Sequence, residues 1–386
     1  MSYVNEKVRN IPYSEIRKFF DVAKSMEGVV SLGVGEPDFY TPWSIRQEAI
    51  KTLEKRRTAY TSNAGLLEFR YEIAKYLHNT IGVKYSHENE VMVTVGASEA
   101  IDVAFRTILD QGDEVLVVEP SYVSYRPCVI LAGGVPVVIA TKNENNFKLT
   151  AEEIKENITR KTKAIIISYP NNPTGAIMTK EDLEGIRDII IEKDLVVISD
   201  EIYSELTYGK NHVSISSLDG MRERTIVING FSKAFSMTGW RLGYAAGPSD
   251  IISNMVKVHQ YVIMCASTVA QYAGREALIG CMDKVYDMRE EYNMRRRLML
   301  KGFERMGLPC FEPEGAFYLF PSIKGLNMTS EEFCTELLTK EKLAIVPGNA
   351  FGDCGEGHIR CSYAYSIDNL REALVRLERF VNNLKK

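Results

Sequence analysis

Residues 164–203 read AIIISYPNNPTGAIMTKEDLEGIRDIIIEKDLVVISDEIY, and this stretch decides the fold. The apolar run at 164–167 is short and rich in isoleucine, as a strand buried on both faces should be. Asn, Pro and Gly then punctuate a turn at 171–175. Thr179 with Asp182 three residues on marks a helix start, and 180–191 is amphipathic. A second apolar run follows at 195–198. Strand, helix, strand in that order is the repeating unit of a parallel sheet covered by helices.

Similar runs recur at 91–95, 115–118, 135–139 and 226–228, with an amphipathic stretch at 97–109. The expected fold class is therefore α/β, with a mainly parallel central sheet flanked by helices. Thr150 with Glu153 repeats the capping signal. Further on, 282–301 is charged and helical, 316–320 is β-like, 329–339 is helical, and a last helix starts at Asp368. That pattern predicts a second, smaller α+β unit. A chain of 386 residues exceeds what one core usually fills. With no Ser/Gly linker or internal repeat, the two units should pack directly, and such interfaces commonly hold active sites.

Composition narrows the function. A formal charge of -4 supplies no basic field, which speaks against nucleic acid or an anionic membrane as partner. No apolar run approaches the roughly 18 residues a membrane-spanning helix needs. The N-terminal region mixes Glu6, Lys7, Arg9, Glu15 and Arg17, unlike a secretory or acid-poor transit segment. Seven scattered cysteines contain no Cys-x-x-Cys pair, so a reducing, cytoplasmic setting is expected. Cys354, His358 and Cys361 in a Gly-rich stretch read as an incidental loop, and no metal is expected.

Ligands of open parallel sheets sit beyond the carboxyl ends of the strands. Four segments with unusual polar groups lie there: GASEA (96–100), YPNNPTG (169–175), DEIY (200–203) and SKAFSMTGWRLGY (232–244). Asp200 ends a predicted strand and reads either as a helix cap or as a carboxylate facing a ligand. The residues after it look helical, which would put Tyr203, at i+3, on the same face. Lys233 follows a strand among small, apolar and hydroxylic residues, where burial lowers an amine's pKa and frees a nucleophile. Arg241, eight residues later and past the turn residue Gly239, suits an anion. Gly96, Ala97 and Ser98 open a helix whose N–H groups favour phosphate. Asn172 in its turn is placed to donate to an oxygen.

Taken in order, LGVGEPDF (32–39), YTSNAG (60–65), GASEA, YPNNPTG, DEIY, SKAFSMTGWRLGY and IRCSYA (359–364) resemble the class I/II pyridoxal-phosphate-dependent aminotransferases over nearly the whole chain. The resemblance implies fold type I, with a large cofactor-binding domain at 46–284 and a small domain built from 1–45 and 285–386. It implies pyridoxal 5′-phosphate as cofactor and Lys233 as its Schiff-base lysine. By the same resemblance Asp200 faces the pyridinium nitrogen, and Asn172 and Tyr203 meet the phenolic oxygen. Ala97, Ser98, Ser232 and Arg241 match the phosphate cup, Tyr122 the ring-stacking aromatic, and Gly35 and Arg360 the substrate carboxylate site, to which Asn172 also belongs. Tyr60 matches a residue that reaches a neighbouring subunit's phosphate, which implies a homodimer with shared sites.

The implied activity is transfer of an amino group from an L-amino acid to a 2-oxo acid, 2-oxoglutarate being the expected acceptor, in two half-reactions. Two departures from the best-known aspartate aminotransferases stand out: Tyr122 stands where they have tryptophan, and Gly230 replaces a phosphate-binding serine. A carbon-sulfur β-lyase on the same fold is one alternative. A non-catalytic effector-binding module is another, against which the match beginning near Leu32 leaves no room for a preceding DNA-binding domain.

Overall fold

The apolar runs become the strands of one seven-stranded sheet in a computed structural model that describes residues 3–13 and 26–385. Glu15 and Arg17 lie outside the described residues. In chain order, after a short β1 (Val30–Ser31), the sheet takes β2 (Val91–Thr94), β3 (Glu114–Glu119), β4 (Val135–Ala140), β5 (Thr162–Ser168), β6 (Val196–Asp200), β7 (Thr225–Gly230) and β8 (Gly243–Ala246). Its order is β2-β8-β7-β6-β5-β3-β4. All neighbours are parallel except β8, which runs antiparallel to both β7 and β2. The sequence reading missed β8, because GYAA has neither a β-branched residue nor an alternation to announce it.

Side chains alternate across β5. Ile165 and Ile167 pack with Leu183, Ile186 and Ile190 of the helix Lys180–Glu192. Ala164 and Ile166 turn to the opposite face, among Ala100 and Ala104 of the helix Ala97–Ile108. Both faces are thus dry, which explains the unbroken apolar runs. Thr150 and Thr179 each form the expected capping box, with Glu153 and Asp182.

Four further strands complete the fold: β9 (Tyr318–Leu319), β10 (Leu343–Ala344), β11 (Val346–Pro347) and β12 (Ile359–Ser362). β12 lies between β11 and β9, antiparallel to both, while β1 pairs with β10 in parallel. The helices Met282–Met306, Ser330–Glu341 and Ile367–Leu384 cover them through Phe303, Leu337 and Leu374. Tyr203, Leu206 and Tyr208, which follow β6, belong to the same apolar cluster, so the end of the seven-stranded sheet and this smaller unit share a continuous packed boundary.

Register decides where the loops meet. Ser168 pairs with Asp200 and Asp200 with Ile228, so β5, β6 and β7 end nearly level. The β1–β10 pairing carries the following residues, Gly33 to Gly35, toward the same edge.

Candidate active site

The level strand ends, the N-terminus of the helix Ala97–Ile108 and the 33–35 segment enclose a cavity of about 540 Å³. Of the residues singled out in the sequence, Asp200, Tyr203, Ser232, Lys233 and Arg241 line it from the loops after β6 and β7. Ala97, Ser98, Tyr122 and Asn172 line it from the other strand ends. Gly35 and Arg360 close it from the N-terminal segment and β12. Tyr60 stands apart: the residue is 79% exposed on this chain, outside the cavity.

Asp200 is the last residue of β6 and is buried. Burial raises its pKa from 3.8 to about 6, although the Tyr125 hydroxyl and the Ile202 N–H, donating at 2.7 and 3.2 Å, both favour the anion. The helix expected after Asp200 does not form. Residues 202–205 make turns instead, since the Asp200 side chain bonds the Ile202 N–H locally and offers the backbone an alternative. Tyr203 therefore reaches the cavity from a turn, not along a shared helical face. Its hydroxyl lies 2.7 Å from that of Tyr318.

Lys233 opens onto the cavity while protein encloses its amine, and this burial lowers its pKa from 10.5 to about 8. Glu36 and Asp200 oppose the shift, and Arg360 and Arg241 add to it. The amine donates to the Gly35 carbonyl at 2.6 Å.

Arg241 follows the short 3-10 turn Thr238–Trp240 and is itself left-handed, at φ 51°. The sequence reading gave the turn to Gly239; the left-handed geometry falls two residues later, on the arginine. Arg241 Nη1 donates to Thr238 O at 3.0 Å. Its Nη2 would lie 2.6 Å from a Cβ on Gly96, which has φ 79°. The guanidinium thus sits against the N-terminus of the helix Ala97–Ile108, where backbone N–H groups and charge converge on any anion.

Arg360 is buried, with its guanidinium 4.6 Å from the Tyr318 ring centre and 4.7 Å from that of Phe351. It donates to Asn172 Oδ1 at 2.9 Å and to the Gly33 carbonyl, while its Nε has no partner among the described residues. A planar fork held between rings with one donor unmet suits a carboxylate. Burial also lowers its pKa from the usual arginine value.

The sequence reading missed two residues here. Tyr125 lies three after Tyr122, at the start of the helix Tyr125–Leu131, and that spacing was the available signal. Tyr318 sits in AFYLF, where an aromatic in a short strand reads as core. Cys354, His358 and Cys361 do not line the cavity, and among the described residues no group of three or more His, Cys, Asp or Glu is placed to hold a metal.

Residues 27–377 match the sequence model of the family described as aminotransferase class I and II. The chain is 48% identical to aspartate aminotransferase of Pyrococcus abyssi, over 96% of each chain. It is 45% identical to aromatic-amino-acid aminotransferase 2 of Thermococcus litoralis, over 99% of each. A crystal structure of the aromatic aminotransferase from Pyrococcus horikoshii OT3 superposes with a TM-score of 0.92 at 47% identity, covering 96% of this chain and 99% of that one. Sheet, helices and these neighbours define a fold type I transferase. The chain belongs to the class I and II aminotransferases and is an enzyme that transfers amino groups.

Proposed function

We propose that this enzyme uses pyridoxal 5′-phosphate to move an amino group from an L-amino acid to 2-oxoglutarate. The observation that carries the reading is one cavity holding an enclosed amine with lowered pKa, a buried carboxylate and a cationic helix terminus: Lys233, Asp200 and Arg241 with Gly96. The donor set fits the cofactor. The N–H groups of Ala97 and Ser98, with Ser232 and Arg241, suit a phosphate. Tyr122 offers a ring face, and Asn172 and Tyr203 suit a phenolic oxygen. Bound there, the cofactor supplies an electron sink for a carbanion at the substrate Cα.

The chain's own groups do the rest. Lys233 would hold the cofactor through its neutral amine and, when that amine is free, would take up the proton that leaves the substrate Cα. Asp200, as an anion, keeps the proton on the ring nitrogen. Arg360, with Gly35 and Asn172, receives the α-carboxylate that donor and acceptor share. We read residues 46–284 and the pair 1–45 with 285–386 as the two domains, and residues of both, such as Lys233 and Arg360, line the cavity.

We read the assembly as a homodimer in which Tyr60 serves the partner's site. Supporting this, Tyr60 is exposed, as are Tyr261, Val262, Ile263 and Met264, and Thr268 Oγ1 donates to the carbonyl of the preceding Ala59 at 2.7 Å. Asn63 Nδ2 donates to Met264 O at 2.9 Å, joining the two segments. An apolar patch of this kind favours a protein partner. Unpaired cysteines suit a reducing, cytoplasmic setting, and among the described residues no helix is long and apolar enough to cross a membrane.

The test is single turnover. Loaded enzyme given donor alone should release one 2-oxo acid per site without ammonia, and 2-oxoglutarate added later should yield one glutamate per site. Ammonia and pyruvate formed continuously without acceptor would overturn this reading in favour of a β-lyase.

A further inference from the structure

Tyr318 sits where three groups of the cavity meet. Across the β9–β12 ladder it faces Ser362, and Arg360, two residues along β12, projects from the same face. This register brings the Arg360 guanidinium over the Tyr318 ring, at 4.6 Å from its centre. The Tyr318 hydroxyl lies 2.7 Å from the Tyr203 hydroxyl. It also fills the place a Cβ on Gly35 would occupy, so the 33–36 segment can pass only as glycine at that point.

A phenol has one hydrogen, so only one member of the pair can donate to the other. The Arg360 charge over the Tyr318 ring stabilises loss of that proton, which makes Tyr318 the stronger donor. Burial raises both phenols, Tyr203 well above its ordinary range, and Arg360 lowers both, ranking directly after burial for Tyr318 and behind the Tyr318 contacts for Tyr203. With Tyr318 as the donor of this 2.7 Å bond, Tyr203 keeps its own hydrogen for the cavity. We propose that Tyr318 is a positioning residue that aims the Tyr203 O–H into the cavity, toward the ring oxygen of the cofactor. The proposal rests on the reading of the cavity as a pyridoxal-phosphate site.

Tyr318→Phe keeps the ring under Arg360 and nearly the same volume, so the melting temperature should stay close to wild type. Two readouts other than turnover report the role. Pyridoxal phosphate should bind the apo-variant roughly two- to tenfold more weakly, the range for one lost neutral hydrogen bond. The pH midpoint of the bound cofactor's absorbance should rise by about half a unit to one unit, because an unpolarised Tyr203 is a poorer donor to the ring oxygen. Tyr203→Phe should shift both in the same direction, and adding Tyr318→Phe to it should cause no further change. If Tyr318→Phe changes neither quantity, or changes them equally with and without the Tyr203 hydroxyl, Tyr318 does not act through Tyr203 and the proposal fails. A wild-type apoprotein that binds no pyridoxal phosphate would instead sink the underlying reading, before any variant is compared.

Discussion

The Tyr125 hydroxyl donates to Asp200 Oδ2 at 2.7 Å, at the buried end of β6. That bond favours the anion, yet burial still leaves the folded pKa near 6, above the ordinary 3.8. A carboxyl whose folded pKa is raised stabilises the fold when protonated, and this contribution is lost as pH rises through about 6. Asp200→Asn should therefore stabilise the apoprotein by about 1–3 kcal/mol at pH 7.5 and change little at pH 4. The same variant should retain cofactor while slowing Cα–H cleavage at least a hundredfold, about 3 kcal/mol. Urea midpoints at the two pH values and single-turnover rates with a deuterated donor check both halves. Unchanged rates would leave Asp200 as a turn-forming residue only.

Lys233 should be the residue to which borohydride fixes pyridoxal phosphate, and Lys233→Ala should carry no such label. Since the neutral amine is the nucleophile, the rate of cofactor capture by the apoprotein should rise about tenfold per pH unit below about 8 and level off above it. Peptide mapping after reduction and stopped-flow absorbance at several pH values test this. A label on another lysine would refute the assignment.

Gly96→Ala places a methyl group 2.6 Å from Arg241 Nη2 and demands a left-handed residue at φ 79°. Both effects displace the guanidinium from the helix terminus. Affinity for the cofactor should fall roughly tenfold or more, as for 1–3 kcal/mol of strain. Equilibrium titration of the apo-variant with pyridoxal phosphate measures it, and inorganic phosphate should protect the wild type from loading more effectively than the variant.

Arg360→Lys keeps the charge and loses the fork that bonds Asn172 Oδ1. KM for donor and for 2-oxoglutarate should rise together, by about tenfold or more. Steady-state kinetics with each substrate varied in turn distinguishes this from a side-chain-pocket change, which affects one substrate more than the other.

Mixing inactive Lys233→Ala with a severely impaired Tyr60 variant should restore part of the activity through hybrid dimers that carry one intact site. Sedimentation alongside the assay checks assembly. A monomer that remains fully active at working concentration excludes a shared site.

The Lys233–Arg241 spacing, the Gly96 helix start and the Asn172 turn were legible because each is local: a strand end, a cap or a turn is written in neighbouring residues. Asp200 was legible for the same reason, as the polar residue ending an apolar run. The helix inferred after it was not, since a side-chain bond to the Ile202 N–H diverted the backbone.

Contacts between distant segments left no such trace. Tyr318 looks like any core aromatic until β9 pairs with β12, and Tyr125 looks like a helix residue until β6 delivers Asp200 to its hydroxyl. The amino-acid sequence by itself determined which segments become strands and helices and which polar side chains stand at their ends, because those depend on periodicity and local hydrogen bonding. Tertiary structure alone decided which of those side chains meet and how far their pKa values move: Asp200 near 6 and Lys233 near 8 result from desolvation by segments far apart in the chain, and no residue's neighbours in sequence specify that burial.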